Sequence, residues 1–142
     1  MIYTEKTKAA LKLCFEAHKN QTDKSGMPYV FHPFHLAEQM KDEETTIAAL
    51  LHDVIEDTDY TIGDLEQINF SPDVLEAIKL LTHTDSTPYM EYVAKINENP
   101  IAKAVKLADL EHNSDLSRLD IVDEEALKRK EKYEQAIRLL NE

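Results

Sequence analysis

His52, Asp53, Glu56 and Asp57 follow directly on an apolar helical run, and it is here that the sequence first points to chemistry. Ile47, Leu50, Leu51, Val54 and Ile55 fall at i, i+3, i+4, i+7 and i+8, one apolar stripe of an α-helix. At about 100° per residue, His52 and Glu56 share a second stripe, and Asp53 and Asp57 share a third. Ala48 and Ala49 lie on that far side, so the helix enters the segment apolar nearly all round, as buried helices do. Three carboxylates and an imidazole at the end of a buried helix need compensation, and a bound cation is the most economical partner. The other reading is an ordinary helix end with a solvated acidic face.

Two further places offer ligands of the same kind. His32 precedes Pro33 at the start of a predicted helix, where a capping or semi-buried structural histidine is the alternative reading. Asp109 closes the run Lys106-Leu107-Ala108-Asp109. Two imidazoles and two carboxylates suit Mn²⁺, Fe²⁺ or Zn²⁺ better than Ca²⁺, which prefers oxygen alone. Such an ion, with positions left open, acidifies water enough to make it a nucleophile near neutral pH. Glu56, one turn beyond His52, is spaced to orient that water or take its proton, and Asp57 to assist or to steady a ligand.

The elements that must position these groups read as helices throughout. The first runs from about Thr4 to Lys19, and a loop with Gly26 and Pro28 follows. A second helix reaches about Met40, and a third, from about Glu43 to Ile55, carries the central segment. Thr61, with Asp64 three residues on, predicts a capping box opening a short helix. Ser71-Pro72 and Asn99-Pro100 predict helix starts, and Thr87-Pro88 reads as the same device. The last helix, Glu124 to Asn141, shows Leu127, Tyr133, Ile137 and Leu140 as its apolar side. Strand patterns are absent, so the fold class is all-α, one domain over residues 1–142 with about seven or eight helices.

Composition narrows the function. The two glycines, Gly26 and Gly63, allow neither a dinucleotide-binding turn nor a glycine-rich phosphate loop. A net charge of −12 disfavours nucleic acid and anionic lipid as partners, which leaves a small molecule. Cys14, the single cysteine, reads as a small core residue. No apolar run reaches the ~18 residues of a membrane span and no signal peptide is evident, so a cytoplasmic location is expected. Oligomeric state is not readable from the sequence.

His52-Asp53-Val54-Ile55-Glu56-Asp57, with His32-Pro33 upstream and Lys106-Leu107-Ala108-Asp109 then His112-Asn113 downstream, resembles the HD-domain superfamily. The chain is most similar to the hydrolase domain of the Rel/Spo-type guanosine tetraphosphate (ppGpp) hydrolases, including their small single-domain forms, over roughly His18 to Leu119. That resemblance implies metal ligands at His32, His52, Asp53 and Asp109, usually for Mn²⁺. It implies that Glu56 and Asp57 activate the water that attacks the 3′ pyrophosphate. It further implies nucleotide contacts from Lys24, Ser25, Tyr29 and Asn113, to which the spacing of Lys106 before Asp109 adds one more basic candidate. Asp23 and Leu110 stand where the family commonly has basic residues, which predicts weaker ppGpp binding than in a relative with both. The leading expectation is a metal-dependent phosphohydrolase of a phosphorylated purine nucleotide, ppGpp first. Another phosphorylated nucleotide as substrate, and a non-catalytic nucleotide-binding module, are the alternatives. Nothing in the 142 residues resembles a synthetase segment.

Overall fold

The computed structural model describes residues 1–142. Helix α1 spans Glu5–His18, α2 Phe31–Glu38, α3 Glu43–Leu51 and α4 Val54–Asp57. They are followed by α5 Ile62–Glu66, α6 Pro72–Leu81, α7 Tyr89–Ile96, α8 Pro100–Asn113, a 3₁₀ turn Leu116–Arg118, and α9 Glu124–Leu140. All eight expected helices are present, the third divided in two, and the only extended pairing is an isolated bridge between Thr22 and Pro28.

Local chemistry sets most of the boundaries. Asp42 opens α3 by accepting from the Thr45 backbone N–H at 2.8 Å. Thr61 and Asp64 form the reciprocal capping box at α5, and Ser71, Asn99 and Asp123 cap α6, α8 and α9. Thr87-Pro88 differs from its expected reading. Pro88 itself occupies the cap position of α7 without a side-chain cap, and the Thr87 carbonyl instead accepts from the His83 ring at 2.7 Å. Asn69, between α5 and α6, takes φ +64°, the left-handed region that Asn enters more easily than most residues.

Helix α3 is the hub. Every residue from Thr45 to Leu51 is buried, and the helix packs against α1, α2, α6 and α8. A nine-residue helix would be marginal alone, so its stability comes from this enclosure. Cys14 of α1 lies in the same core, where burial pushes its thiol up to about 12. Leu127 is a correction to the predicted apolar side of α9: it is 52% exposed, and Ala126, Ala136 and Leu140 form the buried seam instead. Leu50→Ala should cost about 2–5 kcal/mol, because a fully enclosed site leaves a cavity that rigid neighbours cannot close. Urea unfolding with an unchanged m-value is the check.

Candidate active site

The site begins where α3 fails to continue. The expected unbroken helix to Ile55 stops at Leu51, and Asp53 adopts φ −106° and ψ 0°, the sparsely populated bridge region. The chain turns there and resumes as α4, so His52 and Glu56 fall on separate helices, whereas Asp53 and Asp57 keep their expected pairing: Asp57 N–H donates to the Asp53 carbonyl at 2.9 Å, and carboxylate oxygens of Asp53, Glu56 and Asp57 lie within 4.8 Å of one another. His52 Nδ1 donates to the Ala49 carbonyl at 2.7 Å. A carbonyl can only accept, so this contact places a hydrogen on Nδ1 and, in the neutral ring, leaves Nε2 a bare lone pair.

That Nε2 is buried without a hydrogen-bond partner, 3.1 Å from Asp53 Oδ2 and 3.5 Å from Asp109 Oδ1. A lone pair facing two carboxylate oxygens is repulsive unless a positive charge lies between them. Burial alone would lower the His52 pKa, yet Asp53 and Asp109 together hold it well above the ordinary imidazole value. His32, from the first turn of α2, brings its Nε2 to 2.8 Å from Asp109 Oδ1. The ligating atoms of His32, His52 and Asp109 lie within 4.8 Å of one another, and Asp53 borders the group through His52. This donor set, nitrogen and carboxylate oxygen around an orphaned buried imidazole, fits a divalent ion.

Asp109 is also anchored from its other side. Lys106 donates to Oδ2 at 2.9 Å and Asn113 to Oδ1 at 3.0 Å. Burial would raise this carboxyl, but the Lys106 ammonium together with the contacts from His32 and His52 outweighs it and holds the group well below the usual range. The expected substrate residues Lys106 and Asn113 therefore reach Asp109 first, with the Lys106 ammonium also 5.2 Å from the Tyr92 ring centre. Tyr29 likewise donates its hydroxyl to Asp53.

Two clefts flank the cluster. One, of about 310 Å³, is lined by Lys24, Ser25, Tyr29 and Asn113 of the expected substrate residues, by His32, and by Arg118, Arg129 and Tyr133. The other, of about 270 Å³, lies over Glu56 and Asp57 and carries Lys106, Lys132, His83 and Tyr89. Asn113 and Tyr133 border both. Glu56 Oε1 accepts from the His83 backbone N–H at 2.6 Å, and burial raises its pKa. Burial, then Asp53 and Glu56, push the Asp57 carboxyl up to about 6.

The two departures lie in different settings. Leu110 is buried in the core and lines neither cleft. Asp23 closes its own loop by accepting from the Ser25 and Met27 N–H groups at 2.9 and 3.0 Å, and it faces Arg118 at 3.9 Å. Arg118 and Arg129 carry no signal in the sequence, because they approach the loop only through the packing of α8 and α9.

His18, at the end of α1, stands behind Tyr29 with ring centres 4.9 Å apart, and its Nδ1 lies 2.8 Å from Gln21 Oε1. Burial lowers its pKa, so the unfolded chain takes up a proton near pH 6.5 that the folded chain refuses. The corresponding stability is complete above pH 6.5 and is lost as pH falls below it, by at most about 1.4 kcal/mol per pH unit. Melting temperatures between pH 7 and 5 should fall less steeply for His18→Gln than for the parent.

Comparison with known proteins agrees with this geometry. The HD domain family model matches residues 10–135. The bifunctional (p)ppGpp synthase/hydrolase SpoT of Escherichia coli is 39% identical over 113 residues, 69% of this chain and 16% of that protein. The guanosine-3′,5′-bis(diphosphate) 3′-pyrophosphohydrolase MESH1 of Danio rerio is 38% identical over 117 residues, 72% of this chain and 64% of that one. The chain thus spans less than two thirds of either relative. A solved structure of a metazoan ortholog of SpoT, described as hydrolysing ppGpp, superposes with a TM-score of 0.78 at 28% identity, covering 99% of this chain and 88% of that one. No helix is long and apolar enough to cross a membrane. With the family model covering nearly the whole chain and the histidine–aspartate pair at the centre of its one buried charged cluster, this chain belongs to the HD domain family.

Proposed function

We propose that the chain hydrolyses guanosine 3′,5′-bis(diphosphate) at its 3′ pyrophosphate, with Mn²⁺ held by His32, His52, Asp53 and Asp109. The observation that carries this is the buried Nε2 of His52, without a hydrogen-bond partner and facing two carboxylates, with an acidic pair on one side and a basic, nucleotide-sized cleft on the other. The names of the relatives supply the substrate.

When bound, a divalent ion supplies Lewis acidity for water and for a phosphoryl oxygen. Glu56 serves as the proton acceptor, fixed by the His83 N–H so that its free oxygen faces the cleft. Asp57 stands beside it as the reserve base, already raised toward neutrality. Lys106 and Lys132 offset the negative charge of the pyrophosphoryl group under attack as its bond to the ribose 3′ oxygen breaks. On the other side, Lys24, Arg118 and Arg129 meet the nucleotide, which replaces the weaker binding expected from Asp23 and Leu110 with a surface that retains three basic side chains.

Pyrophosphate release by the Mn²⁺-loaded protein across a panel of phosphorylated purine nucleotides tests the assignment. Release from ppGpp above the rest supports it. Release only from another nucleotide moves the substrate, and binding without release makes the chain a nucleotide-binding module. Arg129→Ala should raise KM for ppGpp by about tenfold or more while kcat holds, the mark of a contact made equally in ground and transition states. Steady-state kinetics at fixed ionic strength reads this directly.

A further inference from the structure

His112, in the last turn of α8, places its Nδ1 2.7 Å from the Nδ1 of His32. The rings are parallel within 4°, with centroids 5.0 Å apart. The centroid separation exceeds the nitrogen separation by the full sum of the two ring radii, so both nitrogens lie on the line joining the centroids and the parallel imidazoles lie edge to edge in one plane. This is an in-plane hydrogen bond and not a face-to-face stack. His35 covers one face of His112 with ring centres 4.1 Å apart, and Arg118 Nη1 donates to the His112 carbonyl at 2.8 Å. His112 is therefore fixed in place from two directions.

Two nitrogens at this distance share one hydrogen, and the ring that supplies it decides what His32 can do with its other nitrogen. When His112 donates, neutral His32 carries its hydrogen on Nε2 and gives it to Asp109 Oδ1, 2.8 Å away. When His32 donates, its Nε2 offers a lone pair to the space shared with His52 and Asp109.

We propose that His112 is a positioning residue: its Nδ1 accepts the Nδ1 hydrogen of His32, holding His32 in the tautomer whose Nε2 is free to ligate a divalent ion. The inference rests on the metal reading above. His52 is held in the same tautomer by the Ala49 carbonyl, so both imidazoles present Nε2 inward through a second contact at Nδ1. The two contacts are not equivalent. A carbonyl only accepts, whereas His112 also has the option of donating, so the His32–His112 pair has a closed form spent on Asp109 and an open form ready for the ion. Passing from closed to open conserves the pair's hydrogens. One leaves His32 Nε2, the shared hydrogen crosses from His112 to His32, and one is taken up at His112 Nε2.

Two variants and one spectrum decide it. His112→Phe keeps a ring in the slot but has no acceptor, and His112→Asn returns a carbonyl oxygen close to the lost Nδ1. Titration calorimetry with Mn²⁺ should show His112→Phe weakened by roughly 10–100-fold and His112→Asn restored to within a few-fold of the parent. Thermal melts without metal establish that both variants fold. Two-bond ¹H–¹⁵N spectra of the Zn²⁺-loaded parent should place the His32 hydrogen on Nδ1 and the His112 hydrogen on Nε2. Equal Mn²⁺ affinity in parent and His112→Phe, an Asn variant as weak as Phe, or a His32 hydrogen on Nε2 with Zn²⁺ bound would each overturn the proposal. Should His112→Phe not fold, the parent's spectrum alone decides between the two tautomers. A parent that takes up neither ion defeats the metal reading itself, an outcome distinct from a parent that binds while His112 proves indifferent.

Discussion

His52→Ala and Asp53→Ala should each remove divalent-metal binding and, with it, all measurable pyrophosphate release. His52 is buried and tethered to Ala49, so no neighbouring side chain can swing in to replace its Nε2. Asp53 stands at the turn between α3 and α4, with the Tyr29 hydroxyl holding its carboxylate against His52. Each loss removes a ligand from a set of four, which an open catalytic site cannot spare. The metal-free variants should nevertheless fold, because alanine at either position leaves the Thr45–Leu51 hub untouched. The discriminating measurement is the rise in melting temperature with Mn²⁺. A ligand present at about 100 times its Kd adds about 2.7 kcal/mol to a protein that binds it only when folded. The parent should show that rise and the variants none. Stoichiometric metal in the His52→Ala, Asp53→Ala double variant would refute the ligand assignment.

Glu56→Gln should leave metal affinity intact and lower turnover by about 10²–10⁴-fold, the usual cost of a lost general base. The substitution is clean here because the glutamine carbonyl can still accept from the His83 N–H that fixes the side chain. What disappears is only the capacity to take a proton. Calorimetric Mn²⁺ affinity together with kcat separates this from a ligand role, which would move both. Unchanged turnover would transfer the role to Asp57, whose carboxyl is already raised to about 6 by burial and by its acidic neighbours.

Features written in short-range chemistry were legible in the sequence. The caps at Thr61, Ser71 and Asn99 each need only a side chain and an amide three residues on, and all three form. The apolar surround of Ala48 and Ala49 announced the burial of α3 correctly. The break after Leu51 was hidden because Val54 and Ile55 keep helical spacing across it, so periodicity carries no trace of a turn imposed by the tertiary surroundings. The candidate ligands came from residue types and family resemblance, and the fold brings His32, His52 and Asp109 together, with Asp53 grouped instead with Glu56 and Asp57 and touching the first set through His52. Their supports were not legible: His112 meets His32 across 80 residues, and Arg118 and Arg129 reach the loop of residues 21–29 only after α8 and α9 have packed. Nor was the setting of Leu110 legible. It is a buried core position that lines neither cleft.

In that loop the Asp23 carboxylate accepts from two amides, Asp23 N–H donates to the Met27 carbonyl at 2.8 Å, and Tyr29 N–H donates to the Gln21 carbonyl at 2.9 Å. Gly26, at φ +79°, supplies the one left-handed residue the turn needs. The tip carrying Lys24 and Ser25 is thereby rigid before anything arrives. Ordering a free segment costs about 1–2 kcal/mol of entropy per residue, a charge that would otherwise fall on each binding event. The acidic residue that looks like a subtraction from affinity settles that entropy once, at folding, so that a nucleotide bound there as proposed would meet a surface already in shape.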